Sequence, residues 1–297
     1  MTHKDDAASQ AAGSSRRLFA YNLGFFRAPR LARILALAGW QLRAGLPRGG
    51  DHVAIWGASP TAWRGRRIAA RRGAQVVTVE DAFLRSILPG RSRSRLGRRG
   101  PLGLLIDEDG LHFDPAAPSR LERLIARPLG PVREAEAAEA LARLRAADLS
   151  KYNGHDPGAP PPEPGYVLVI DQTRHDASLL DAGRPLFLRM LAAARAEHPG
   201  RPIVIRSHPE TAAGLRPGHL SQADLRPGDR LCDGPVSPWR LVENAAAVYA
   251  VSSQLGYEAL LAGHRPVLFG QPFYAGWGLT DDRAPLPRGP RGTAPPL

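Results

Sequence analysis

The chain of 297 residues has room for one large α/β domain or for two lobes of roughly 150 residues each. Its 31 glycines and 29 prolines predict many loops and short elements and argue against a helical bundle. The single cysteine, Cys232, excludes an internal disulfide bond and a cysteine-based zinc or iron–sulfur site.

The formal net charge is +12, and arginine supplies almost all of the positive charge because Lys4 and Lys151 are the only lysines. Such a charge attracts anionic partners, which include nucleotide phosphates, acidic sugars, anionic lipids and nucleic acid. No apolar stretch reaches the length of about 18 residues that a membrane span requires, and residues 1–15 lack the apolar segment of a secretory signal. We therefore expect a cytoplasmic protein.

Residues 1–50 are predicted to form a disordered lead-in and then an amphipathic helical pattern within 16–46 that carries arginines on one side. A helix packed on the domain and a helix lying on a membrane surface both fit this pattern, and we favour the packed helix.

A first lobe is predicted over residues 51–165, because its start alternates strand, helix and strand as parallel sheets do. The predicted elements are a strand at 52–57, a helix at 60–73, a strand at 75–80, a hairpin of 103–107 with 111–114, and helices at 118–127 and 132–148. A segment rich in proline and glycine, 154–165, marks the boundary of this lobe.

A second lobe is predicted over residues 166–297, again by alternation of strands and helices. The strands are expected at 166–171, 201–206, 247–253 and 265–270, and the helices at 183–198, 237–245 and 254–263, with a fraying tail after Asp282. The fold class is therefore α/β, with two Rossmann-like lobes and a cleft between them. In open α/β sheets, ligands bind at the loops that follow the strands.

Glu80 and Asp81 follow one predicted strand, and Arg85 is close by in the sequence. A carboxylate in this position can act as a general acid or base, or it can cap a helix within a local ion pair. Both interpretations stay open.

The loop of residues 171–178 is rich in polar side chains, and it holds two carboxylates, Asp171 and Asp176, together with Gln172. An aspartate in such a loop can serve as a nucleophile or base. Asp176 is also placed to cap the next helix.

Anion-binding features follow two further strands. His208 with the nearby Arg206 suits a phosphate group, and Ser252 with Ser253 precedes a helix whose N-terminal amides attract anions. Simple helix capping by these serines is compatible with that role. Glu258, one turn into the helix, is placed to reach a ribose hydroxyl group.

Two other segments are candidates for binding. The segment 272–282, which contains Tyr274 and Trp277, is suited either to stacking on a base or sugar ring or to packing the lobes together. The arginines of 91–99 form either a solvated basic loop or a docking site for an acidic polymer or lipid surface.

Several common motifs are absent from the sequence. It has no P-loop, no G-x-G-x-x-G after a strand, no H-E-x-x-H and no G-x-S-x-G. These absences argue against a P-loop nucleotide hydrolase, a dehydrogenase, a zinc protease and an α/β-hydrolase.

A series of motifs resembles the capsular polysaccharide biosynthesis family of KpsC/LipA type, which are bacterial β-Kdo (3-deoxy-D-manno-octulosonic acid) glycosyltransferases. The motifs are EDAFLRS (80–86), PLGLLIDEDGLHFD (101–114), SKYN (150–153), DQTRHDAS (171–178), SHPE (207–210) and the long segment 252–282. The resemblance covers roughly residues 50–282.

The resemblance implies a GT-B-like fold, CMP-Kdo as donor, no metal ion or other cofactor, and a β-Kdo or lysophospholipid acceptor in capsule linker synthesis. It implies transfer with retention of configuration, with Asp176 as nucleophile and Glu80 as acid/base. The remaining implied donor-side residues are His208, Ser252, Ser253, Glu258, Gln254, Gln172 and Arg206. The implied acceptor-side residues are Asp81, Arg85, Lys151, Asn153, Tyr274 and Trp277.

The implied partners are a CMP-sugar, an anionic glycolipid or acidic glycan and other capsule-assembly proteins, without nucleic acid. Peripheral association with the inner membrane also follows from this resemblance. The chain departs from the family in having one catalytic domain, in carrying His175 before Asp176, and in reading Arg206-Ser207-His208-Pro209 at the His-Pro motif.

Two other functions remain open. One is a non-catalytic capsule assembly or export factor that binds polyanions or lipids on a degenerate transferase fold. The other is a GT-B enzyme that uses a different nucleotide donor.

Overall fold

The computed structural model describes residues 15–292, and the contacts of this part divide it into two compact units. Unit 1 comprises the described parts of Met1–Arg85 together with Arg99–Leu111, and unit 2 comprises Ser86–Arg98 together with the described parts of His112–Leu297. Each unit is built on its own sheet.

Unit 1 has a five-stranded sheet in the order β2-β1-β3-β4-β5. Its strands are β1 (Arg16–Ala20), β2 (Trp40–Arg43), β3 (His52–Trp56), β4 (Gln75–Asp81) and β5 (Leu104–Asp107), and its α-helices are α1 (Gly24–Arg27), α2 (Pro29–Leu37) and α3 (Ala62–Arg72). The first four strands are parallel, and β5 pairs antiparallel with β4.

The helices of unit 1 cover both faces of this sheet. Leu31 and Leu35 of α2 pack in a cluster with Leu18 and Val77, whereas α3 contributes to a separate cluster. The inner side of α3 is made of small residues, Ala62, Gly65 and Ala69. A Cβ atom on Gly65 would lie 2.7 Å from Cγ2 of Ile55 and 3.2 Å from Cγ1 of Val53, so glycine allows α3 to lie directly on β3.

Unit 2 has a six-stranded parallel sheet in the order β11-β10-β9-β6-β7-β8. Its strands are β6 (Tyr166–Ile170), β7 (Ile203–Arg206), β8 (Arg230–Cys232), β9 (Ala245–Ala250), β10 (Val267–Leu268) and β11 (Asp281–Asp282). Its α-helices are α4 (Arg120–Ile125), α5 (Pro131–Ala146), α6 (Arg184–Glu197), α7 (Pro209–Ala212), α8 (Pro238–Glu243) and α9 (Gln254–Leu261).

The core of unit 2 lies between the central strands and α6. Every residue of β6 and β7 is buried, as expected for parallel strands covered on both faces. Phe187, Met190 and Leu191 of α6 pack against these strands.

Most of the predicted elements are confirmed. The strand–helix–strand unit is present as β3, α3 and β4. The proline- and glycine-rich segment 154–165 contains no helix or strand. The alternation predicted after residue 166 is present as well, with the additional short strands β8 and β11.

The helical pattern predicted within 16–46 is only partly a helix. The helical part is confined to α1 and α2, while the flanking residues form β1 and β2, which pair with each other in parallel. The reason is burial: Leu18, Phe19 and Ala20 are buried in succession, which a strand covered on both faces allows. The predicted lead-in over residues 1–14 lies outside the described part of the chain.

The predicted hairpin of 103–107 with 111–114 is also wrong. β5 pairs with β4 instead, with Asp107 opposite Thr78. Oδ1 of Asp107 accepts hydrogen bonds from the backbone amides of Asp109 (2.8 Å) and Gly110 (3.0 Å), so the Glu108–Gly110 segment forms a turn closed by a side chain.

The tail after Asp282 does not fray over residues 283–292. Arg283 pairs with Glu197 at 3.0 Å, and Arg288 donates to the backbone oxygen of Pro115 at 2.9 Å. Arg291 donates to the backbone oxygen of Pro272 at 2.7 Å. The proline-rich tail is therefore held by hydrogen bonds and ion pairs from its arginines to other segments of unit 2.

The compact units follow a different division from the predicted segments 51–165 and 166–297, because residues 112–165 belong to unit 2. Ser150 donates to the carboxylate of Glu258, and Ser237 donates to Asp148 at 2.6 Å. These contacts join the SKYN segment to helices far along the chain.

A buried carboxylate, Asp171, holds the loop beside the end of β6. Each of its oxygens lies 3.1 Å from the backbone nitrogen of His219, which donates to them. The ring of His219 stacks on Phe187 with centroids 4.1 Å apart, and both ring nitrogens are buried without a hydrogen-bond partner in the described part of the chain. Burial lowers the pKa of His219 to about 4, and the positive charge of Arg174 adds to this effect.

We expect Gly65→Ala to destabilise the protein by about 1 kcal/mol, because the cost of overpacking exceeds the gain in helix propensity. Gly49→Ala is the control, since its added methyl group would have no atom within 4 Å. Chemical denaturation of both variants measures the effect. Equal free energies of unfolding for the two variants would contradict the close packing of α3 on β3.

His219→Phe is expected to gain stability relative to the wild type as the pH falls from 8 to 5. His219 is neutral in the folded protein down to pH about 4, whereas the unfolded chain takes up a proton near pH 6.5, so the wild type loses stability as the pH falls below 6.5. The difference in free energy of unfolding should grow by up to about 2 kcal/mol.

Denaturation of both proteins at pH 8 and at pH 5 gives this difference directly. Asp171, whose pKa burial raises to about 6, contributes with the opposite sign, but it is present in both proteins. A difference that does not change with pH would show that the His219 ring is not kept neutral.

Candidate active site

Two adjoining loops of unit 2 are joined by the side chain of Gln172. β6 and β9 are neighbours in the sheet, so the loops after them leave the same edge. Oε1 of Gln172 accepts from the backbone nitrogen of Ser252 at 2.9 Å, and its Nε2 donates to Oγ of Ser252 at 3.2 Å. The carboxamide therefore fixes both polar groups of this serine.

Asp176 is connected to the same serine through Ser178. Oδ1 of Asp176 accepts from the backbone nitrogen of Ser178 at 2.9 Å and from its hydroxyl group at 2.8 Å. The Ser178 hydroxyl lies 3.0 Å from Oγ of Ser252. Oδ2 of Asp176 has no hydrogen bond from the described residues, and the side chain is partly exposed. The result is an oriented carboxylate with one oxygen available for chemistry.

The N-terminus of α9 begins beside this group of residues. Ser253 caps the helix by accepting from the backbone nitrogen of Leu255 at 3.2 Å. The backbone oxygen of Ser253 accepts from the Tyr274 hydroxyl at 2.6 Å, which holds the loop from the other side. Ser252 and Ser253 therefore have separate roles: the first joins the loops and the second caps the helix.

His208 is neutral and keeps a ring N–H group as a donor. Its Nδ1 accepts from the backbone nitrogen of Glu210 at 3.1 Å, so the proton of the neutral ring is on Nε2. Burial lowers the pKa of His208 to about 4, and the positive charge of Lys151 lowers it further, while Asp176 opposes the shift.

Glu258 is buried, and its carboxylate is engaged within the protein. The Ser150 hydroxyl lies 2.9 Å from Oε1 and 2.8 Å from Oε2, and Gln254 donates to Oε1 at 3.2 Å. Burial raises the pKa of Glu258 to about 7, although hydrogen bonds from Ser150, Gln254 and the Lys151 backbone amide oppose this. The sequence motifs name Glu258 but give no sign of its bond to Ser150, which is 108 residues away.

The SKYN segment forms a turn that brings Lys151 near His208. Oδ1 of Asn153 accepts from the backbone nitrogen of Ser150 at 2.8 Å, and its Nδ2 donates to the backbone oxygen of Ser150 at 2.8 Å. Tyr152 contacts the His208 ring edge-on, with centroids 5.8 Å apart, and Nζ of Lys151 lies 5.6 Å from the Tyr152 ring centroid.

Three predicted site residues of unit 2 are engaged in its internal structure. Arg206 donates to the backbone oxygen of Gly234 at 2.7 Å and of Val236 at 3.5 Å. Trp277 is buried and donates to the backbone oxygen of Phe273 at 2.9 Å. Tyr274 is buried beside it, so both aromatic side chains pack within unit 2.

Glu80, Asp81 and Arg85 belong to unit 1, at the end of β4. Nε of Arg85 donates to Oδ2 of Asp81 at 2.5 Å, and Oε1 of Glu80 accepts from the Asp81 backbone nitrogen at 2.9 Å. The local ion pair considered for this segment is thus present, and it involves Asp81.

Residues 15–292 contain no group of three or more histidine, cysteine, aspartate or glutamate side chains arranged to hold a metal ion. Within the same residues, no helix is long and apolar enough to cross a membrane.

The chain is similar to a protein of capsule polysaccharide modification and to one of lipopolysaccharide processing. It is 36% identical over 247 residues to the capsule polysaccharide modification protein LipA of Neisseria meningitidis serogroup B, covering 79% of this chain and 34% of LipA. It is 36% identical over 220 residues to the lipopolysaccharide-processing protein LpsZ of Rhizobium meliloti, covering 71% of this chain and 49% of LpsZ. The chain thus spans about a third to a half of these relatives.

Among solved structures, the chain resembles two structures of KpsC from Thermosulfurimonas dismutans. The β-Kdo 2,4 transferase matches with a TM-score of 0.82 and 30% identity, covering 97% of this chain and 89% of that chain. The β-Kdo 2,7 transferase matches with a TM-score of 0.65 and 24% identity, covering 92% of this chain and 85% of that chain. The second similarity, at its lower identity, concerns the fold alone, and together they establish the expected GT-B-like α/β fold.

A sequence model of the family described as "Capsule polysaccharide biosynthesis protein" matches residues 51–160 and 155–295. This match covers most of the chain and agrees with the identity to LipA and LpsZ. The chain belongs to the capsule polysaccharide biosynthesis protein family.

Proposed function

We propose that the protein is a glycosyltransferase that moves Kdo from CMP-Kdo to a β-Kdo or lysophospholipid acceptor during synthesis of a capsule linker. The observation that carries the proposal is the 30% identity to the KpsC β-Kdo 2,4 transferase over 97% of this chain. The hydrogen-bonded group of Gln172, Asp176, Ser178 and Ser252 supports it, because it orients a carboxylate beside a helix N-terminus.

The donor is an anion, and unit 2 offers groups suited to it. CMP-Kdo carries a phosphate group and a sugar carboxylate. The Nε2–H group of His208 and the N-terminus of α9 are neutral donors for a phosphate oxygen, and Lys151 supplies positive charge near His208. We assign His208, Ser252 and Ser253 to the CMP phosphate and Glu258 with Gln254 to the cytidine side.

We further propose retention of configuration through two displacements. In the first, an oxygen of Asp176 bonds to the anomeric carbon of Kdo, and the bond from that carbon to the phosphate oxygen breaks, so CMP leaves with the electron pair. The hydrogen bonds of Ser178 to Oδ1 orient the carboxylate for this attack.

In the second displacement, Glu80 accepts the proton of an acceptor hydroxyl group, whose oxygen bonds to the anomeric carbon and releases Asp176. No metal ion is required in this scheme, because His208 and the α9 amides are assigned to the charge of the leaving phosphate.

We also infer that the new bond is a 2,4 linkage, given the similarity to the transferase of that name.

The competing hypothesis is a non-catalytic factor that binds anionic polymers or lipids. The observation that favours it is the run of exposed arginines between residues 91 and 99, which contains no acidic residue. Nε of Arg91, the first of the run, lies 3.9 Å from Oε2 of Glu210. The experiments below separate the two functions.

Asp176→Asn and Glu80→Gln are each expected to lower transfer by about 10²-fold or more, with the larger loss for Asp176→Asn because it removes the nucleophile. The asparagine oxygen can still accept from Ser178, so the loop should keep its structure. Asp233→Asn, at an exposed carboxylate, is the matched control. Initial rates of product formation by mass spectrometry, with thermal unfolding of each variant, measure the effect. Wild-type rates in both variants would overturn the assigned roles.

Incubation with CMP-Kdo, generated in situ, and a synthetic β-Kdo-terminated lipid mimic should yield a product heavier by one Kdo. NMR of the product is expected to show a β-2,4 bond. CMP should raise the unfolding temperature more than UDP or GDP does, since a ligand that binds the folded state stabilises it by about 2.7 kcal/mol at 100 times its Kd.

His208→Ala should reduce the stabilisation by CMP, with His198→Ala as the control outside the site. Stronger stabilisation by UDP or GDP would indicate another nucleotide donor. Absence of product and of any nucleotide effect would instead favour the non-catalytic factor.

A further inference from the structure

The exposed apolar side chains of unit 1 are concentrated at one edge of its sheet. Because β1 to β4 are parallel and β5 starts opposite the end of β4, the loops after β1 to β4 and the loop before β5 leave the same edge, which we name the carboxyl edge. Six of the seven exposed large apolar residues in the described part of unit 1 lie in these loops or in the helix turns that follow them: Leu23, Phe26, Leu46, Trp63, Leu84 and Leu102. The exception, Leu37, ends α2 at the opposite edge.

These side chains are far more accessible than a packing role requires. Leu23 is 64% exposed, Leu102 is 60% exposed and Trp63 is 56% exposed. Single exposed apolar residues are ordinary on protein surfaces, but a group of them on adjoining loops marks an interaction site.

Contacts between the loops show that the carboxyl edge is continuous. The Tyr21 hydroxyl donates to the backbone oxygen of Gly45 at 2.8 Å, which connects the loops after β1 and β2. Nδ2 of Asn22 donates to Oγ1 of Thr61 at 3.1 Å, which connects the loops after β1 and β3. The backbone nitrogen of Leu102 donates to the backbone oxygen of Arg85 at 2.6 Å, which connects the loops after β4 and before β5.

The charge around this edge is positive and largely uncompensated. Arg27 ends α1 and Arg43 ends β2 at this edge, and Arg64 and Arg67 lie in the first two turns of α3. Within the described part of the chain, the exposed side chains of Arg27, Arg43, Arg64 and Arg67 form no ion pair. The acidic residues at this edge are Glu80 and Asp81, and Asp81 is paired with Arg85.

We propose that the carboxyl edge of unit 1 docks on the surface of an anionic lipid bilayer. Leucine and phenylalanine side chains enter the boundary between headgroups and acyl chains, where tryptophan is also favoured, and the surrounding arginines pair with lipid phosphates. A soluble acidic glycan would use the arginines but would leave the exposed leucines in water, so the combination favours a membrane.

This docking deepens the proposed function. β4 ends at the same edge with Glu80 and Asp81, so a lipid-linked acceptor in the bilayer would be presented next to the proposed acid/base residue. The docking itself depends only on the surface of unit 1, and it can be tested without transfer.

Flotation of the full chain with vesicles tests the proposal. Wild-type protein should float with vesicles of phosphatidylcholine and phosphatidylglycerol, and weakly with phosphatidylcholine alone. The variant Leu23→Ser/Phe26→Ser/Trp63→Ser should lose affinity for the anionic vesicles by about tenfold or more. The matched control is Leu37→Ser/Leu124→Ser/Val132→Ser, which replaces three exposed apolar residues elsewhere and should bind like the wild type.

The proposal is overturned if the wild type does not bind anionic vesicles, or if the two triple variants bind them equally well. It is also overturned if the loss in the edge variant is the same with a soluble acidic polysaccharide, because lipid would then not be the specific partner. Transfer to a water-soluble acceptor, measured without vesicles, reports separately on the proposed function. A protein that binds vesicles through the edge but transfers no sugar would retain the docking and refute the transferase.

Discussion

The carboxamide of Gln172 is the contact on which the candidate site of unit 2 depends. It accepts from the Ser252 backbone and donates to the Ser252 hydroxyl, so the loops after β6 and β9 are held together by one side chain. Ser178 then connects this serine to Asp176. A glutamine is suited to this position because its amide carries both a donor and an acceptor, whereas a carboxylate would offer acceptors only. The orientation of Asp176 therefore depends on a serine that follows the neighbouring strand, β9.

Unit 2 also contains a buried carboxylate, Glu258, whose hydrogen bonds do not fully offset the cost of burying its charge. Glu258 is buried with a pKa raised to about 7, its partners include the neutral hydroxyl of Ser150 and the amide of Gln254, and the positive charge of Lys151 also acts on it. Neutral partners stabilise a carboxylate less than a bidentate arginine does. The Ser150 bond also fixes the start of the SKYN turn, and this turn places Lys151 near His208. Through Ser150, the Glu258 carboxylate thus helps to position Lys151, whose charge acts on His208.

The sequence predicts the architecture well where the pattern reflects local burial. The strand–helix–strand unit from β3 to β4 and the alternation from β6 to β10 follow from apolar runs closed by glycine. β1 was missed because its first two residues are exposed arginines, and its strand geometry comes from pairing with β3 rather than from its own five residues. The hairpin predicted after β5 was wrong for a similar reason: the Asp107 side chain closes the turn that follows, and β5 pairs with β4, which precedes it by more than twenty residues.

For the site, sequence reasoning named Asp176, Gln172, His208 and the two serines, because polar residues after parallel strands are informative. It could not connect Ser150 to Glu258, since a contact across 108 residues leaves no periodic trace in one sequence. It also placed Arg206 on the donor side, which stays a prediction; the structure adds that the Arg206 guanidinium donates to the backbone oxygens of Gly234 and Val236.

The neutral state of His208 bears on how this site would receive an anionic ligand. Burial disfavours the imidazolium, and the positive charges of Lys151, Arg216 and Arg206 disfavour it further, against the single opposing charge of Asp176. A phosphate or carboxylate brought among these groups would add negative charge and reverse part of the shift, so binding and protonation of His208 are thermodynamically coupled. The cations that help keep the imidazole neutral are also groups that attract an anion. Nδ1 accepts from the Glu210 amide, so a second proton on the ring would break this hydrogen bond, and Nε2–H is the donor that faces the ligand in the neutral form.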